Sequence, residues 1–525
     1  MSGCRVCVGM TSTGSDPVER LKRVSDIDVE AFNARVRDET DAIRDHLEAG
    51  TFDNEQATTG LEYEFYAVDR ETGHLRRIPR SLLSCVGFDR ELGLHNAELN
   101  SAIHPFTGRG IDAVRAEVAG KVEALQRRAA EDGIRVVSDG MWTIGPADGE
   151  TDDYLTEATH EEGLTLGINV SNGVRYHGFA SVGDDRMIGS EIDVPGARID
   201  ADSAGPVSLT TSIQPHYQPR RAADIPRYHR IATRLAGPLL ALAVNSPFLP
   251  PELYDDPGPD RDLLVADGYA EHRVPVYEQM MNPSGRDRKV KFPRDIDTLE
   301  TAIDRIASDP TLVPAEIESE GRFDGEFVHF RHKHGSYWRW VRPVFDGATE
   351  ASASARIEFR PIPGQPTIPD AVAILAAFGG AMRGLAERDH PVLDLPWERA
   401  EENFYAAARD GLDADMTWIT DDGTETTRTA DLYSDLFAAA TAGLESHGCT
   451  TDQIAAALYP LRSRVETGRT PASWKRSAVD VALDGGATPA EAVRTAQRTY
   501  FELQRRTLYD DSLADWPAPE AVAPS

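Results

Sequence analysis

Apolar and polar positions alternate from residue 60 to residue 68. One side of this pattern carries four apolar side chains: Leu61, Tyr63, Phe65 and Ala67. The other side begins with Glu62 and Glu64. Because successive side chains of a strand point to opposite faces, the pattern predicts a half-buried strand with both glutamates on one face. A turn-like stretch at 69–73 and another short strand are expected to follow.

The rest of the chain changes from strand-like to helix-like spacing. Apolar residues at helical spacing predict helices over 28–50, 111–131 and 222–245. Strands are predicted over 134–138, 141–144, 207–214, 326–344 and 355–362. Long loops with a hairpin are expected over 145–205, loops with helical pieces over 251–295, and almost continuous helix beyond 369. Strands first and helices later indicate an α+β fold.

The same pattern divides the chain into four segments. Residues 1–50 are predicted to form an N-terminal tail and helix, with a loose tail over 1–20. The sheet region is expected over 51–368 and a helical C-terminal part of the same domain over 369–516. A short tail over 517–525 completes the chain.

Composition adds a strong negative charge. The 525 residues include 55 basic and 87 acidic side chains, a formal charge of −32, and lysine supplies six of the basic residues. This balance excludes non-specific binding to nucleic acid or anionic membranes as the main function, because phosphate binding needs a positive field. The acidity is typical of a protein from a salt-rich cytoplasm, where the Debye length falls to about 3 Å at molar salt. An ordinary acidic enzyme is the alternative.

The cysteines and apolar runs predict a cytoplasmic protein. Four cysteines are too few for a disulfide framework, and the C-x-x-C of Cys4 and Cys7 has no second ligand pair nearby. Cys85 and Cys449 are isolated, as in a reducing compartment. No run is expected to supply the ~20 apolar residues of a membrane span, since glycine and proline interrupt 235–249. We expect no signal peptide.

The paired glutamates are the first candidate for chemistry. Glu62 and Glu64 on one strand face repel each other unless they share a cation. Magnesium prefers hard oxygen ligands with few protein carboxylates and phosphates nearby. The equally weighted alternative is a solvated strand face in an acidic protein.

Two further strand-like stretches repeat this chemistry. Glu91 precedes a segment in which Asn96, Glu98 and Asn100 share a face, although a polar strand edge would look the same. In 356–360 one carboxylate, Glu358, lies between two arginines on one face, Arg356 and Arg360. This arrangement suits a metal–phosphate site, because guanidinium groups bind phosphate oxygens in pairs. A cross-strand Arg–Glu ladder is the alternative.

A dense basic and aromatic stretch covers 331–343. Its arginines, which include Arg331, Arg339 and Arg342, reverse the overall charge locally and suggest an anionic small molecule. A short nucleic-acid patch or a strand with arginines reaching to solvent would give the same pattern. Gln214 and His216 also share a face, which alone favours a structural role. The sequence has no P-loop, dinucleotide fingerprint or nucleophile elbow.

In order along the chain, these features resemble the type 2 glutamate–cysteine ligase family, in particular its carboxylate–amine ligase branch. The matching motifs are G-L-E-Y-E-F at 60–65, E-L-N-S-A-x-H-P at 98–105, T-S-x-Q-x-H at 211–216, L-A-x-x-x-N-S-P-F at 240–248, Y-W-R-W-V-R-P at 337–343, R-I-E-F-R at 356–360 and A-A-R-D-G-L at 407–412. The resemblance extends from about residue 55 to about residue 500. With the acidity, it suggests a haloarchaeal member.

The resemblance implies a curved antiparallel sheet of the glutamine synthetase type with outer helices, binding ATP and Mg²⁺ over 51–368. It implies four metal ligands, with Glu91 as a less specific fifth match: Glu62, Glu64, Glu98 and Glu358. Gln214, His216, Arg356 and Arg360 would contact the nucleotide. Arg360 would face the transferred phosphate, and Arg342 would hold the carboxylate substrate or a phosphate.

The resemblance also implies a reaction. An ATP- and Mg²⁺-dependent ligase would form an amide through an acyl phosphate, from glutamate and the amine of cysteine or of another compound. The Gln-Pro-His segment at 214–216 and the long 145–205 and 342–356 stretches depart from the family pattern, so the amine stays open. The alternatives are a non-catalytic relative that binds nucleotide or amino acid, and a guanidino or amino kinase. A homo-oligomer is also left open.

Overall fold

The computed structural model describes residues 17–181, 191–282, 287–319 and 321–521. The strands are β1 (Thr58–Asp69), β2 (Phe88–Arg90), β3 (Asn96–Asn100), β4 (His104–Pro105), β5 (Ile134–Val137), β6 (Ala158–Glu161), β7 (Leu164–Gly167), β8 (Glu191–Val194), β9 (Ala197–Asp200), β10 (Ile213–Gln218), β11 (Val341–Asp346), β12 (Ser354–Phe359), β13 (Trp418–Ile419) and β14 (Glu425–Thr426).

The helices alternate with these strands at first and then continue without them. They are α1 (Pro17–Ser25), α2 (Val29–Glu48), α3 (Arg80–Val86), α4 (Gly108–Ala129), α5 (Thr151–Thr156), α6 (Val174–Ser181), α7 (Ile225–Ala243), α8 (Arg273–Met281), α9 (Leu299–Ser308), α10 (Val328–His334), α11 (Ile368–Glu387), α12 (Trp397–Asp410), α13 (Thr429–Ser446), α14 (Thr451–Thr467), α15 (Pro471–Asp484) and α16 (Pro489–Thr507).

One antiparallel sheet of eight strands forms the centre of the fold. Its strands lie in the order β11, β12, β10, β1, β3 and β2, and β4 and β5 also pair with β1. The long strand β1 pairs with four other strands. Strands β10 and β3 lie on its two edges, β4 pairs with its first residues and β5 with its last. The sheet is curled into an antiparallel half-barrel, which confirms the expected α+β class.

The two faces of the sheet have opposite character. Leu61, Tyr63, Phe65 and Ala67 are fully buried in the main apolar core, as the alternation predicts. Helices α4, α7 and α11 pack on the sheet and contribute buried side chains to that core. The opposite face carries the polar side chains of β1, β3, β10 and β12. The apolar core therefore packs against one face of the sheet, and the charged face lines a cleft.

The C-terminal helices form a layer around α11. Helix α11 packs against α13 and α14, while α15 pairs with α16. Helices α14, α15 and α16 each begin at a threonine capping box: Thr450, Thr470 and Thr488. Each box satisfies backbone N–H groups that the first turn leaves free. The predicted helical region beyond 369 is confirmed.

Helix α11 is also long and apolar enough to cross a membrane, by length and composition alone, although the apolar runs had suggested no such segment. However, 89% of its most apolar 18-residue window is buried inside the protein. Burial of this extent is typical of a core helix, so α11 is weak evidence for a span.

Several predicted elements differ from the structure. Residues 326–334 are helical rather than strand, and the strand predicted over 326–344 begins only at Val341. From the helix, Arg331 pairs with Asp324 and Lys333 donates to the carbonyl of Ala307. Residues 141–144 are buried but pair with no strand in the part of the chain that the structure describes. Residues 207–209 belong to a 3-10 turn that includes Pro206, so the strand predicted over 207–214 begins only at Ile213. The short strand after 73 is reduced to a bridge at Leu75.

The expected loops contain more regular structure than predicted. The 145–205 segment holds two hairpins, β6–β7 and β8–β9, with helices α5 and α6. The predicted N-terminal tail includes helix α1, and the C-terminal tail includes a 3-10 turn over 519–521. Residues 1–16 and 522–525, and with them Cys4 and Cys7, lie outside the described residues.

Candidate active site

A cleft of about 1250 Å³ opens on the charged face of the sheet. Eight of the side chains predicted to act in the site line it: Glu62, Glu64, Glu98, Gln214, Arg342, Arg356, Glu358 and Arg360. His216 lines a neighbouring pocket of about 730 Å³, which shares Asn100 and Arg356 with the cleft. The sequence motifs, although far apart in the chain, therefore meet on one surface.

Strand register explains how they meet. Glu64 lies opposite Glu98, and Glu62 lies opposite Gln214 and Asn100 on the two edges of β1. His216 lies opposite Glu358, and Glu358 opposite Arg342. Directly opposed residues in antiparallel strands have Cβ atoms about 5 Å apart. Five neighbouring strands, β11, β12, β10, β1 and β3, thus bring carboxylates, an imidazole and a guanidinium group within reach of shared ligands.

Three of these side chains form a compact group. Each of Glu62, His216 and Glu358 offers one ligand atom, and these atoms lie within 4.8 Å of one another. Nε2 of His216 is 3.3 Å from Oε1 of Glu62 but is buried without a hydrogen bond among the described residues. A ring nitrogen aimed at two carboxylates without a hydrogen bond fits a divalent cation.

Glu358 is held in its charged form. Its burial alone would raise the pKa, but Arg342 and Arg360 together hold the pKa of this carboxyl well below its ordinary value. Nε and Nη2 of Arg342 each lie 2.8 Å from Oε1 of Glu358, and Nη1 of Arg360 lies 2.5 Å from the same oxygen. Glu358 is therefore an ionised ligand in a buried position.

A second group of carboxylates lies further along the cleft. Burial, followed by the charge of Glu91, raises the pKa of Glu64 to about 7. Burial, followed by the charges of Glu62, Glu91 and Glu64, raises the pKa of Glu98 well above its ordinary value. Burial also raises the pKa of Glu91, whose Oε2 accepts a hydrogen bond of 3.0 Å from Tyr176. Mutual repulsion among buried carboxylates is what a bound cation would relieve.

Gln214 connects the two groups. Its Nε2 donates to Oε1 of Glu64 at 3.2 Å, and its Oε1 accepts from Nη1 of Arg360 at 2.5 Å. One amide therefore fixes both a carboxylate of the second group and the arginine beside Glu358.

The other arginines of the predicted set are already engaged. Nη1 of Arg342 donates to the carbonyls of His334 and Tyr337, each at 3.0 Å, while its other nitrogens face Glu358. This arrangement holds Arg342 against Glu358, so its predicted contact with a substrate carboxylate or phosphate stays a prediction. Nη1 of Arg356 donates to Asp346 at 2.7 Å.

The basic stretch 331–343 is less concentrated on the cleft than its sequence suggests. Arg331 pairs with Asp324 at 3.1 Å and Arg339 with Asp309 at 2.8 Å. Neither lines the cleft, and Arg331 lies at the neighbouring pocket instead. The aromatic residue Trp338 does line it.

The structure also adds residues that the sequence analysis missed. Arg175 and Tyr176 of α6 and Arg273 and Tyr277 of α8 line the cleft. The four-residue spacing of Arg273 and Tyr277 puts them on one helix face, but no motif marks α8. The less specific match, Glu91, lies in the cleft with the other glutamates.

The fold is similar to that of a solved protein. The chain is 14% identical to the glutamate–cysteine ligase of Francisella tularensis, solved in complex with AMP, with a TM-score of 0.50 over 87% of this chain and 91% of that one. A bifunctional glutathione synthetase from Pasteurella multocida is 13% identical, with a TM-score of 0.48 over 89% of this chain and 55% of that one. No curated protein matches the sequence.

The first likeness shows the fold, and the expected glutamine synthetase-like sheet is confirmed. The sequence model of glutamate-cysteine ligase family 2 matches residues 58–502. This match supports an ATP-dependent carboxylate–amine ligase. It covers most of the chain, and the protein therefore belongs to glutamate-cysteine ligase family 2.

Proposed function

We propose that this protein is an ATP- and Mg²⁺-dependent ligase that joins the γ-carboxyl group of glutamate to an amine, with cysteine as the first candidate. The observation that carries the proposal is the group of Glu62, His216 and Glu358, within 4.8 Å of one another and beside Arg360. Family membership supports the reaction class. The product would be γ-glutamylcysteine.

Two clusters of side chains in the cleft would together bind the complex of Mg²⁺ and ATP. Glu62, His216 and Glu358 offer one set of ligands, and Glu64, Glu98 and Glu91 offer a second set of oxygen atoms. Bound Mg²⁺ would neutralise the charge that develops on the phosphates during transfer. The pocket beyond His216, near Thr59 and Gln218, would accept the nucleoside part of ATP.

The remaining residues orient the reacting groups. The substrate carboxylate would attack the γ-phosphorus in line, which breaks the bond to ADP and leaves an acyl phosphate. The amine would then attack the acyl carbon, release inorganic phosphate and lose a proton to solvent. Arg360, fixed by Gln214 and Glu358, would contact the transferred phosphoryl group. Such a reaction depends on positioning and charge neutralisation.

One assay tests this proposal. The purified protein is incubated with ATP, Mg²⁺ and glutamate at high salt, with cysteine and a panel of other amines, and the products are measured as ADP and by mass. We expect ADP and an amide in equal amounts. ADP with a stable phosphorylated acceptor would indicate a kinase, and nucleotide binding without ADP would indicate a non-catalytic relative.

We also propose a salt-rich cytoplasm as the setting. The formal charge of −32 supports it, because high salt screens repulsion between surface carboxylates. The assay is therefore run across a salt series, and activity that rises towards molar salt would support this setting. Activity that is highest at low salt would contradict it.

A further inference from the structure

Helix α8 presents two polar side chains to the cleft that no motif predicts. Arg273 begins the helix and Tyr277 follows one turn later, and both line the cleft. Arg273 is 4% exposed. The two side chains lie on the same helix face because residues four apart are neighbours on a helix surface.

The guanidinium of Arg273 is fixed in one orientation. Its Nη1 donates to the carbonyl of Arg360 at 3.1 Å and to that of Pro361 at 3.3 Å. Its central carbon lies 5.1 Å from the ring centroid of Trp340, a cation–π contact. These contacts place the group beside the arginine assigned to the transferred phosphoryl group.

The rest of this polar pair is free to bind a ligand. Three polar atoms of the pair have no hydrogen-bond partner among the described residues: Nε and Nη2 of Arg273 and the hydroxyl oxygen of Tyr277. None of these atoms is fully buried, so each is accessible from the cleft. Arg342, Arg356 and Arg360 each form a salt bridge with a carboxylate, whereas Arg273 forms none in this part of the chain. Glu64 and Glu271 lie near enough to favour the charge of Arg273 but do not pair with it directly. The unbonded N–H groups of this buried guanidinium are therefore available to a ligand with a negative charge.

We propose that Arg273 and Tyr277 bind the α-carboxylate of the amino acid whose side-chain carboxylate is activated. The inference rests on the proposed function. A guanidinium and a phenol on one helix face can both donate to the two oxygens of one carboxylate. Their position beside Arg360 leaves the distal carboxylate of the same substrate near the transferred phosphoryl group. These residues would therefore determine that the substrate is an α-amino acid.

Glutamate and γ-aminobutyrate test this directly. The second compound keeps the carboxylate that is activated but lacks the α-carboxylate. We expect the wild-type protein to prefer glutamate by about 10- to 100-fold in kcat/KM, which is what a charge-assisted hydrogen-bonded pair is worth. Equal use of both compounds by the wild type would overturn the proposal without any variant.

The variants Arg273→Gln, Arg273→Lys and Tyr277→Phe locate the recognition. We expect Arg273→Gln to raise the KM for glutamate by roughly 100-fold, to leave the KM for ATP within about twofold, and to remove most of the preference over γ-aminobutyrate. Tyr277→Phe should lose about tenfold. A rise in the KM for ATP instead, or an unchanged preference, contradicts the assignment.

Arg339→Lys is the matched control. Arg339 also stacks on an aromatic ring, Tyr337 at 4.3 Å, and donates to the carbonyl of Lys289, but it pairs with Asp309 and lies outside the cleft. This variant should keep the substrate preference even if it lowers the melting temperature. If Arg273→Gln does not fold, Arg273→Lys and Tyr277→Phe provide the same comparison.

Calorimetry separates the two proposals. Binding of glutamate and of γ-aminobutyrate to the wild type and to Tyr277→Phe is measured with a non-hydrolysable ATP analogue and Mg²⁺. If no amide forms with any amine but glutamate still binds far more tightly than γ-aminobutyrate, the ligase proposal fails and this subsite stands. If amide forms and the two compounds bind equally, the subsite fails and the ligase proposal stands.

Discussion

Two sets of buried carboxylates in this protein have opposite surroundings. Behind the sheet, Asp139 and Asp370 are completely buried, and each is paired with a cation, Lys475 and Arg464. On the cleft face, Glu64 and Glu98 form no salt bridge with lysine or arginine in the described part of the chain. The protein satisfies the first set completely and leaves the second set short of positive charge.

The paired set is saturated with hydrogen bonds. Asp139 accepts from Lys475, from Gln497 at 2.8 Å and from the backbone of Gly140 at 2.7 Å. Asp370 accepts from Arg464 at 2.8 Å and from the backbone of Leu513 at 2.9 Å. These bonds join the C-terminal helices to the segments that follow β5 and β12. A buried carboxylate that is paired with a cation serves the fold, whereas a buried carboxylate without a paired cation indicates a ligand.

The largest effect on activity is expected at Glu358, which lies in the cleft but is also paired with two arginines. Glu358→Gln replaces one carboxylate oxygen by an amide nitrogen and removes the negative charge that Arg342 and Arg360 share. We expect ATP-dependent amide formation to fall by about 10³-fold or more, because both cation binding and the position of Arg360 are lost. The measurement is ADP and amide formation at saturating ATP. A variant with full activity would exclude Glu358 from the metal site.

Substitution in the paired set should lower stability rather than activity. Lys475→Met leaves Asp139 buried without its cation, which typically costs about 3–5 kcal/mol of folding free energy. We expect a lower urea midpoint, with nearly unchanged activity per folded molecule, because neither residue lines the cleft. A stability within 1 kcal/mol of the wild type, measured by urea unfolding at high salt, would show that this pair is not structural.

This comparison also explains what the sequence could predict. Alternation placed Glu62 and Glu64 on one face, and it did so correctly because one side of β1 is apolar without interruption. Local pattern also predicted α2, α4 and α7 closely. The stretch 326–334 was misassigned because partners distant in sequence bury its basic residues; Asn33, for example, accepts a hydrogen bond from Lys333. Arg273 and Tyr277 were missed because only the fold brings α8 to the sheet.

Glu98→Gln should separate binding from stability. Glu98 has a raised pKa because of burial and the neighbouring glutamates, so removing its charge relieves repulsion in the metal-free protein. We expect the metal-free variant to be more stable than the wild type by about 1 kcal/mol, while the rise in melting temperature on adding Mg²⁺ and ATP shrinks. Calorimetric melting with EDTA or with Mg²⁺ measures both.

Glu117→Gln is the matched control for Glu98→Gln. Glu117 accepts hydrogen bonds from the backbone of Ala102 and from Lys121, and these partners hold its pKa low although burial alone would raise it. Its substitution should lower stability and leave the Mg²⁺ effect unchanged. Metal-free destabilisation by Glu98→Gln instead would mean that Glu98 is already stabilised by the protein itself.

The smallest effect is a pH dependence that belongs to Glu64. Burial and Glu91 raise its pKa from 4.5 to about 7, so the folded state holds its proton more tightly than the unfolded chain does. The associated stability is fully present below about pH 4.5 and is lost as pH rises through about 7. In EDTA, Glu64→Gln should therefore match the wild type near pH 5 and be more stable than it near pH 8. Melting curves of the two proteins at these pH values measure the difference. A stability difference that is the same at both pH values would mean that folding does not raise the pKa of Glu64.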